Sequence, residues 1–256
     1  MHLRRTISEH LNPLLSTLDG RVARHRVDPR ILVSEPQGFV FYRIPKAGHS
    51  TVGNTLLHYD PSVTDAQRSE LSAAGDKIGV YLRPREIGIR RSRIAWRKYF
   101  LFTFVRNPFH RTLSAYLDKV VRDRPPAAKN LGNSPTRDDG SVIGFSEFLD
   151  QLEQGALYTG PHWAPQVSLL PKDRSRLNFI GRLERIDADL PRLVNELFGV
   201  EANAEVKSWD PHRTDSSAKL AKYYDDNAID RVRHLFREDF EAFGYSTDPD
   251  KPLPAA

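Results

Sequence analysis

Twice in this chain a short apolar run breaks into a tight turn and then into a helix-patterned stretch, and that order limits the available folds more than any other feature. The first run is "GFVFYRI", Gly38 to Ile44, closed by Pro45; in the following "STVGNTLLHY", Val52, Thr55, Leu56 and Tyr59 recur at helical spacing. The second is "KYFLFTFV", 98–105, leading into "NPFHRTLSAYLDKVVRD". There Asn107 is a candidate N-cap, Pro108 takes the first helical position, and apolar residues fall at 109, 113, 116, 117, 120 and 121. "KIGVYL" (77–82) reads as a weaker strand and "LNFIGRLE" (177–184) as another. Strands that each feed a helix pair in parallel, so the expectation is an α/β fold with a central parallel sheet flanked by helices. Ligands of such sheets sit beyond the C-terminal strand ends, where both turns fall.

Around these units, "RPPAAKNLGNSPTRDDGSV" (124–142) has no apolar period and reads as a long loop able to close over a substrate. Helices are expected at 144–155, over "DADLPRLVNELFG" with Gly199 after its end, and through "AKLAKYYDDNAIDRVRHLFREDFEAFGY" with an interruption at Asp225 to Asn227. This gives an N-terminal extension (1–37), a main domain (38–245) and a disordered tail (246–256). Absence of Cys excludes a disulfide framework, a thiol nucleophile and thiolate zinc sites, and the nine His contain no HExxH pairing, so no metal is expected. The N-terminus starts basic but never runs apolar for the length of a signal peptide or membrane span, and a soluble, cytoplasmic protein is the expectation. A formal charge of +5 favours anionic ligands. Nucleic acid, anionic glycan and nucleotide all satisfy it.

The first turn, "YRIPKAGHST", has the makings of a phosphate cradle. A strand-to-helix turn presents backbone N–H groups at the positive end of the helix. Gly48 lets backbone approach a ligand, Ser50 and Thr51 add hydroxyl donors, and Lys46 adds a point charge. It is not a Walker A loop, because Lys46 precedes the single glycine instead of following a glycine-rich arc. The bland alternative is a capped helix beside a solvated lysine. In the second turn Arg106 ends a strand, and Ser114 lies eight residues on with Arg111 at i−3 from it. An arginine fork and a helix hydroxyl can converge on one phosphate.

These two stretches, "RIPKAGHST" and "FVRNPFHRTLSAY", resemble the 5'-phosphosulfate loop and the 3'-phosphate motif of sulfotransferases that use 3'-phosphoadenosine-5'-phosphosulfate (PAPS). "HWAPQ" (162–166), "FIGRLERID" (179–187) and "VRHLFREDFEAFGY" look like the carbohydrate branch that includes the chondroitin and HNK-1 enzymes, so the likeness runs from about residue 38 to 245. Where vertebrate members carry a membrane anchor, lumenal cysteines and commonly Cys-Thr in the loop, this chain has no Cys and reads His49-Ser50, like a soluble bacterial-type relative. The resemblance implies a P-loop-like sulfotransferase fold and transfer of a sulfuryl group from PAPS to a carbohydrate hydroxyl, with PAP released and no metal required.

It also implies roles. Lys46 would neutralise the bridging oxygen as the bond breaks, Ala47, Gly48, His49, Ser50 and Thr51 would hold the 5'-phosphate, and Arg106 and Ser114 the 3'-phosphate, with Arg182 in reserve. The general base would be His162, in a loop beside Trp163, or Glu86, 20 residues before Arg106; His49 and His58 also stand near the cradle in sequence. "RPREIGIRRSRIAWRK" (83–98) sets seven Arg or Lys against one Glu. With Arg85, Trp96 and Trp163 as sugar contacts it would hold an anionic glycan; as a bland charge run it would be a solvated face. Three competing functions remain: a non-carbohydrate alcohol acceptor, a kinase or nucleotide hydrolase, for which no Walker order is present, and a basic nucleic-acid-binding module, for which no zinc-finger or RNA-recognition signature is present.

Overall fold

The computed structural model describes residues 9–74, 79–122, 131, 136–137, 139–201 and 219–251. They form two compact units, one drawn from Met1–Gly20, Arg24–Val105 and Leu170–Asp210, the other from Arg21–Ala23, Arg106–Leu169 and Pro211–Ala256.

The first unit is built on a four-stranded sheet of β1 (Ile31–Ser34), β2 (Phe39–Tyr42), β3 (Phe100–Val105) and β4 (Phe179–Arg182), in that spatial order. β2, β3 and β4 run parallel, as strands that feed helices must, with Tyr42 opposite Thr103 and Val105 opposite Arg182. β1 departs from expectation. Ile31–Ser34 falls in the stretch read as an N-terminal extension, yet it turns back through "EPQG" and pairs antiparallel with β2, Ile31 opposite Tyr42. The strand expected at 77–82 is not in the parallel layer: Leu82 makes one antiparallel bridge to Val33, through Val33 N–H to Leu82 O (2.8 Å) and the reverse bond (3.1 Å), and 75–78 lie outside the described residues.

Helices α1 (His49–Tyr59), α2 (Asp65–Ala74), α3 (Pro84–Lys98) and α6 (Ile186–Phe198) belong to this unit; α4 (Pro108–Tyr116), α5 (Phe145–Glu153), α7 (Asp226–Leu235) and α8 (Arg237–Phe243) belong to the second. Val52 and Leu56 of α1 and Leu190 and Leu193 of α6 pack against Phe39, Phe41, Phe102, Phe104 and Phe179 of the sheet. Phe41 and Phe102, side by side on β2 and β3, stack at 4.7 Å with planes 7° apart. Burying each such ring contributes roughly 1.5–3 kcal/mol. Gly181 on β4 faces Phe104 across the ladder, and a Cβ there would lie 2.4 Å from the Phe104 ring, so only glycine lets that ring lie over the strand.

The second unit has its own aromatic core. Phe109 of α4 packs 5.1 Å from Phe240 and 5.4 Å from Tyr224, whose hydroxyl donates to Phe109 O (2.9 Å). Tyr116, Phe145 and Phe148 join α4 to α5. Asn107 caps α4 as its sequence predicts, accepting from Phe109 N–H at 2.9 Å, with Pro108 at the first position. Most of the 124–142 loop and the tail after 251 lie outside the described residues.

Candidate active site

In the first unit the expected cradle is a strand-to-helix turn at the C-terminal edge of the parallel strands. β2 ends at Tyr42, the chain turns through Pro45 to Gly48, and α1 begins at His49 with Gly48 as its N-cap residue. Val52 N–H to Gly48 O (3.0 Å) opens the helical ladder, so the amides before it point out of the helix N-terminus, where anions bind. Lys46 is half-buried and has φ 68°, a left-handed conformation that costs a side-chain-bearing residue about 1–2 kcal/mol. It is the one non-glycine with positive φ among the described residues. Ala47 is fully buried, while His49, Ser50 and Thr51 are half-buried in the first helical turn.

Gly48 has a reason beyond ligand approach. It has φ 75°, and a Cβ there would stand 2.7 Å from Leu183 Cδ1 and 3.5 Å from Ile186 Cδ1, so the turn rests on the chain leaving β4. That contact brings the turn beside Arg182, the last residue of β4, whose backbone N–H donates to Asp189 (2.8 Å). Arg182 is the chain neighbour of Leu183, the residue against which the turn rests. His58, at the far end of α1, is exposed and packs edge-on to Tyr59.

Four expected contact residues are accounted for by structural roles. Glu86, expected as a candidate base, is the N3 residue of α3, and its carboxylate accepts from Arg83 N–H at 2.7 Å in a capping box on an exposed surface. Arg85 pairs with Glu9 at 2.7 Å, and its backbone N–H donates to Asp28. Trp96 carries the Arg176 guanidinium 5.2 Å above its ring, and its carbonyl accepts from the same group (2.5 Å), so one face is already covered. In the second unit Trp163 is 1 % exposed and donates Nε1–H to Ala156 O (3.0 Å); its ring is core, not a sugar platform.

The second unit holds Arg106 by its backbone. Arg106 N–H donates to Gln166 Oε1 (2.9 Å) and Gln166 Nε2–H donates back to Arg106 O (2.8 Å). One carboxamide thereby closes both polar groups of one residue, as a neighbouring strand would. Gln166 is itself fixed by Asp239 of α8, which accepts from Gln166 N–H (2.8 Å), Gln166 Nε2–H (3.3 Å) and Val167 N–H (3.0 Å). Ser114 lies inside α4 at 2 % exposure, so Arg106, half-buried, is the accessible member of the pair.

Arg111 shares the helical face of Ser114 but points inward. Its guanidinium, 1 % exposed, donates to Ala164 O (2.8 Å) and Pro161 O (3.1 Å). Those carbonyls flank His162 and Trp163, so a buried fork fixes the turn that carries half-buried His162. Burial pulls the Arg111 guanidinium down to about 10, against the opposing pull of Asp239, and it stays charged. Burial, with help from the Arg106 charge, pushes His110 down to about 4, so its imidazole is neutral at pH 7. Gln166 and Asp239 were not singled out as functional from sequence, and Arg111 entered only for its place on the helical face of Ser114. The signal was within "HWAPQ", but Arg106 is 60 residues away and Asp239 a further 73.

The fold defines the class, an α/β protein with a lysine-bearing strand-to-helix turn at the end of one of its parallel strands. The chain belongs to the sulfotransferase family, whose pattern matches residues 29–246. It is 30 % identical over 178 residues to carbohydrate sulfotransferase 14 of Mus musculus, covering 62 % of this chain and 44 % of that protein, and 26 % identical over 242 residues to carbohydrate sulfotransferase 10 of Xenopus laevis, covering 84 % and 67 %. The chain spans under half the length of the first of these relatives. No solved structure matches it. Among the described residues, no helix is long and apolar enough to cross a membrane.

Proposed function

We propose that this protein transfers a sulfuryl group from PAPS to a hydroxyl of a carbohydrate acceptor, releasing PAP. The observation that carries the reading is the turn at 45–51, where a lysine is held at φ 68° immediately before a helix N-terminus. A strained non-glycine is retained where its side chain has work to do. Taken unit by unit, the chemistry of the residues suits the donor: half-buried Lys46, Ser50 and Thr51 offer one charge and two hydroxyls beside helix amides for a 5'-phosphosulfate, and Arg106, held by its backbone, offers a fork for a 3'-phosphate. Bound there, the donor supplies the sulfuryl group and a bridging oxygen that gains charge as the S–O bond breaks.

The protein's own part is electrostatic and positional. Lys46 neutralises the charge developing on the leaving oxygen. The turn from Ala47 to Thr51 holds the phosphate still, through the amides that follow Ala47, whose own N–H donates to Ile44 O (3.3 Å), and through the Ser50 and Thr51 hydroxyls, with Arg182 as a further cation. Arg106, aided by Ser114, distinguishes a 3'-phosphorylated nucleotide from an ordinary one. His162, in the turn fixed by Arg111, is the proposed base that takes the acceptor proton as the new O–S bond forms. The acceptor class rests on the named carbohydrate relatives.

The test is calorimetric titration with PAP, AMP and ATP, followed by a transfer assay from labelled PAPS onto a panel of glycans. PAP is expected to bind tightly and AMP weakly, with label appearing on a glycan. Preferential binding of ATP, or no discrimination between PAP and AMP, would sink the reading.

A further inference from the structure

Gln166 is fully buried, and its carboxamide closes both backbone polar groups of Arg106 while also donating to Asp239. Placing a buried carboxamide is worthwhile only where all of its donors and acceptors are matched, and here they are: Oε1 takes Arg106 N–H, and Nε2 serves Arg106 O and Asp239. Asp239, 0 % exposed, accepts two backbone N–H bonds from Gln166 and Val167 besides that one, and the Arg111 charge helps keep it ionised against burial. The result is a relay of matched polar groups from α8, through Gln166, to the backbone from which the Arg106 side chain departs. Simple core filling does not ask for this. An apolar residue of similar volume at 166 would fill the space and leave the Arg106 peptide groups unset.

We propose that Gln166, backed by Asp239, is a positioning residue that sets the Arg106 fork for the 3'-phosphate before any nucleotide arrives. The inference rests on the donor reading above and deepens it: selectivity for a 3'-phosphorylated nucleotide is written partly in a residue that touches no ligand. A fork whose Cα is fixed loses less freedom on binding than one on a mobile strand end.

The experiment measures PAP and AMP affinities by calorimetry for wild type, Arg106→Ala and Gln166→Met, with thermal melts of each. AMP lacks the 3'-phosphate, so the PAP-to-AMP ratio isolates the Arg106 contact from general damage to the fold. In Gln166→Met the ratio is expected to fall by about ten- to a hundredfold with AMP affinity held, since displacements near 1 Å carry penalties of that size. A wild type that does not discriminate overturns the donor reading and this inference together. A wild type that discriminates, an Arg106→Ala that does not, and a Gln166→Met equal to wild type overturn the positioning role alone. Should Gln166→Met not fold, hydrogen exchange of the Arg106 amide decides. Slow exchange in the free protein supports a preset backbone, and protection that appears only with PAP overturns it.

Discussion

Lys46 is where the chemistry and the backbone pull in opposite directions. The left-handed conformation suits glycine, and a lysine there is tolerated at a cost. Lys46→Gly is therefore expected to raise stability by about 1 kcal/mol in denaturant unfolding while abolishing sulfuryl transfer. Lys46→Ala is expected to lose transfer without gaining stability. Turnover near wild type in either folded variant removes the leaving-group role. The sequence made Lys46 and Gly48 legible as a turn because their types and order are local. It did not reveal that Gly48 must also clear Leu183, since that neighbour is distant along the chain.

At the scale of elements, α3 illustrates how one pattern serves two readings. Glu86 reads as a base from its place 20 residues before Arg106 in the family pattern, yet Arg83-Pro84-Arg85-Glu86 also spells a helix start with Pro at the first position and Glu at the third. The structure has the helix start. Glu86→Ala is expected to cost about 1 kcal/mol of stability with the pH profile of turnover unchanged; a profile that loses its acidic limb would restore Glu86 as the base. The parallel strands and α4 with its Asn107 cap were legible because period and cap lie within a dozen residues. β1 was not: three apolar residues and a serine before a turn give no period to read, and their pairing partner decides what they are. The 161–166 segment was legible only as a family signature, because its work is done on partners drawn from α4 and α8.

For the molecule as a whole, acid stability is the property that collects these local choices. His110, 7 % exposed, is held neutral down to about pH 4, whereas the unfolded chain takes up that proton near 6.5. Between those values the unfolded state binds more protons, so stability falls as pH falls, by on the order of 3 kcal/mol for this group. Asp239, raised by burial, acts the other way: the folded form takes up its proton first, which supports the fold at pH values just above the carboxylate's ordinary 3.8. Urea unfolding of His110→Gln followed by circular dichroism is expected to show a flatter decline from pH 6.5 to 4.5 than wild type. An unchanged slope would remove the assignment. The three tryptophans also differ in kind. Trp163 is sealed in the second unit with its indole N–H bonded, Trp96 lies at the surface of the first under an arginine, and Trp209 is outside the described residues. A buried indole emits at shorter wavelength and is shielded from dissolved quenchers, so this chain carries an optical probe one residue from the proposed base and three from the glutamine that steadies Arg106.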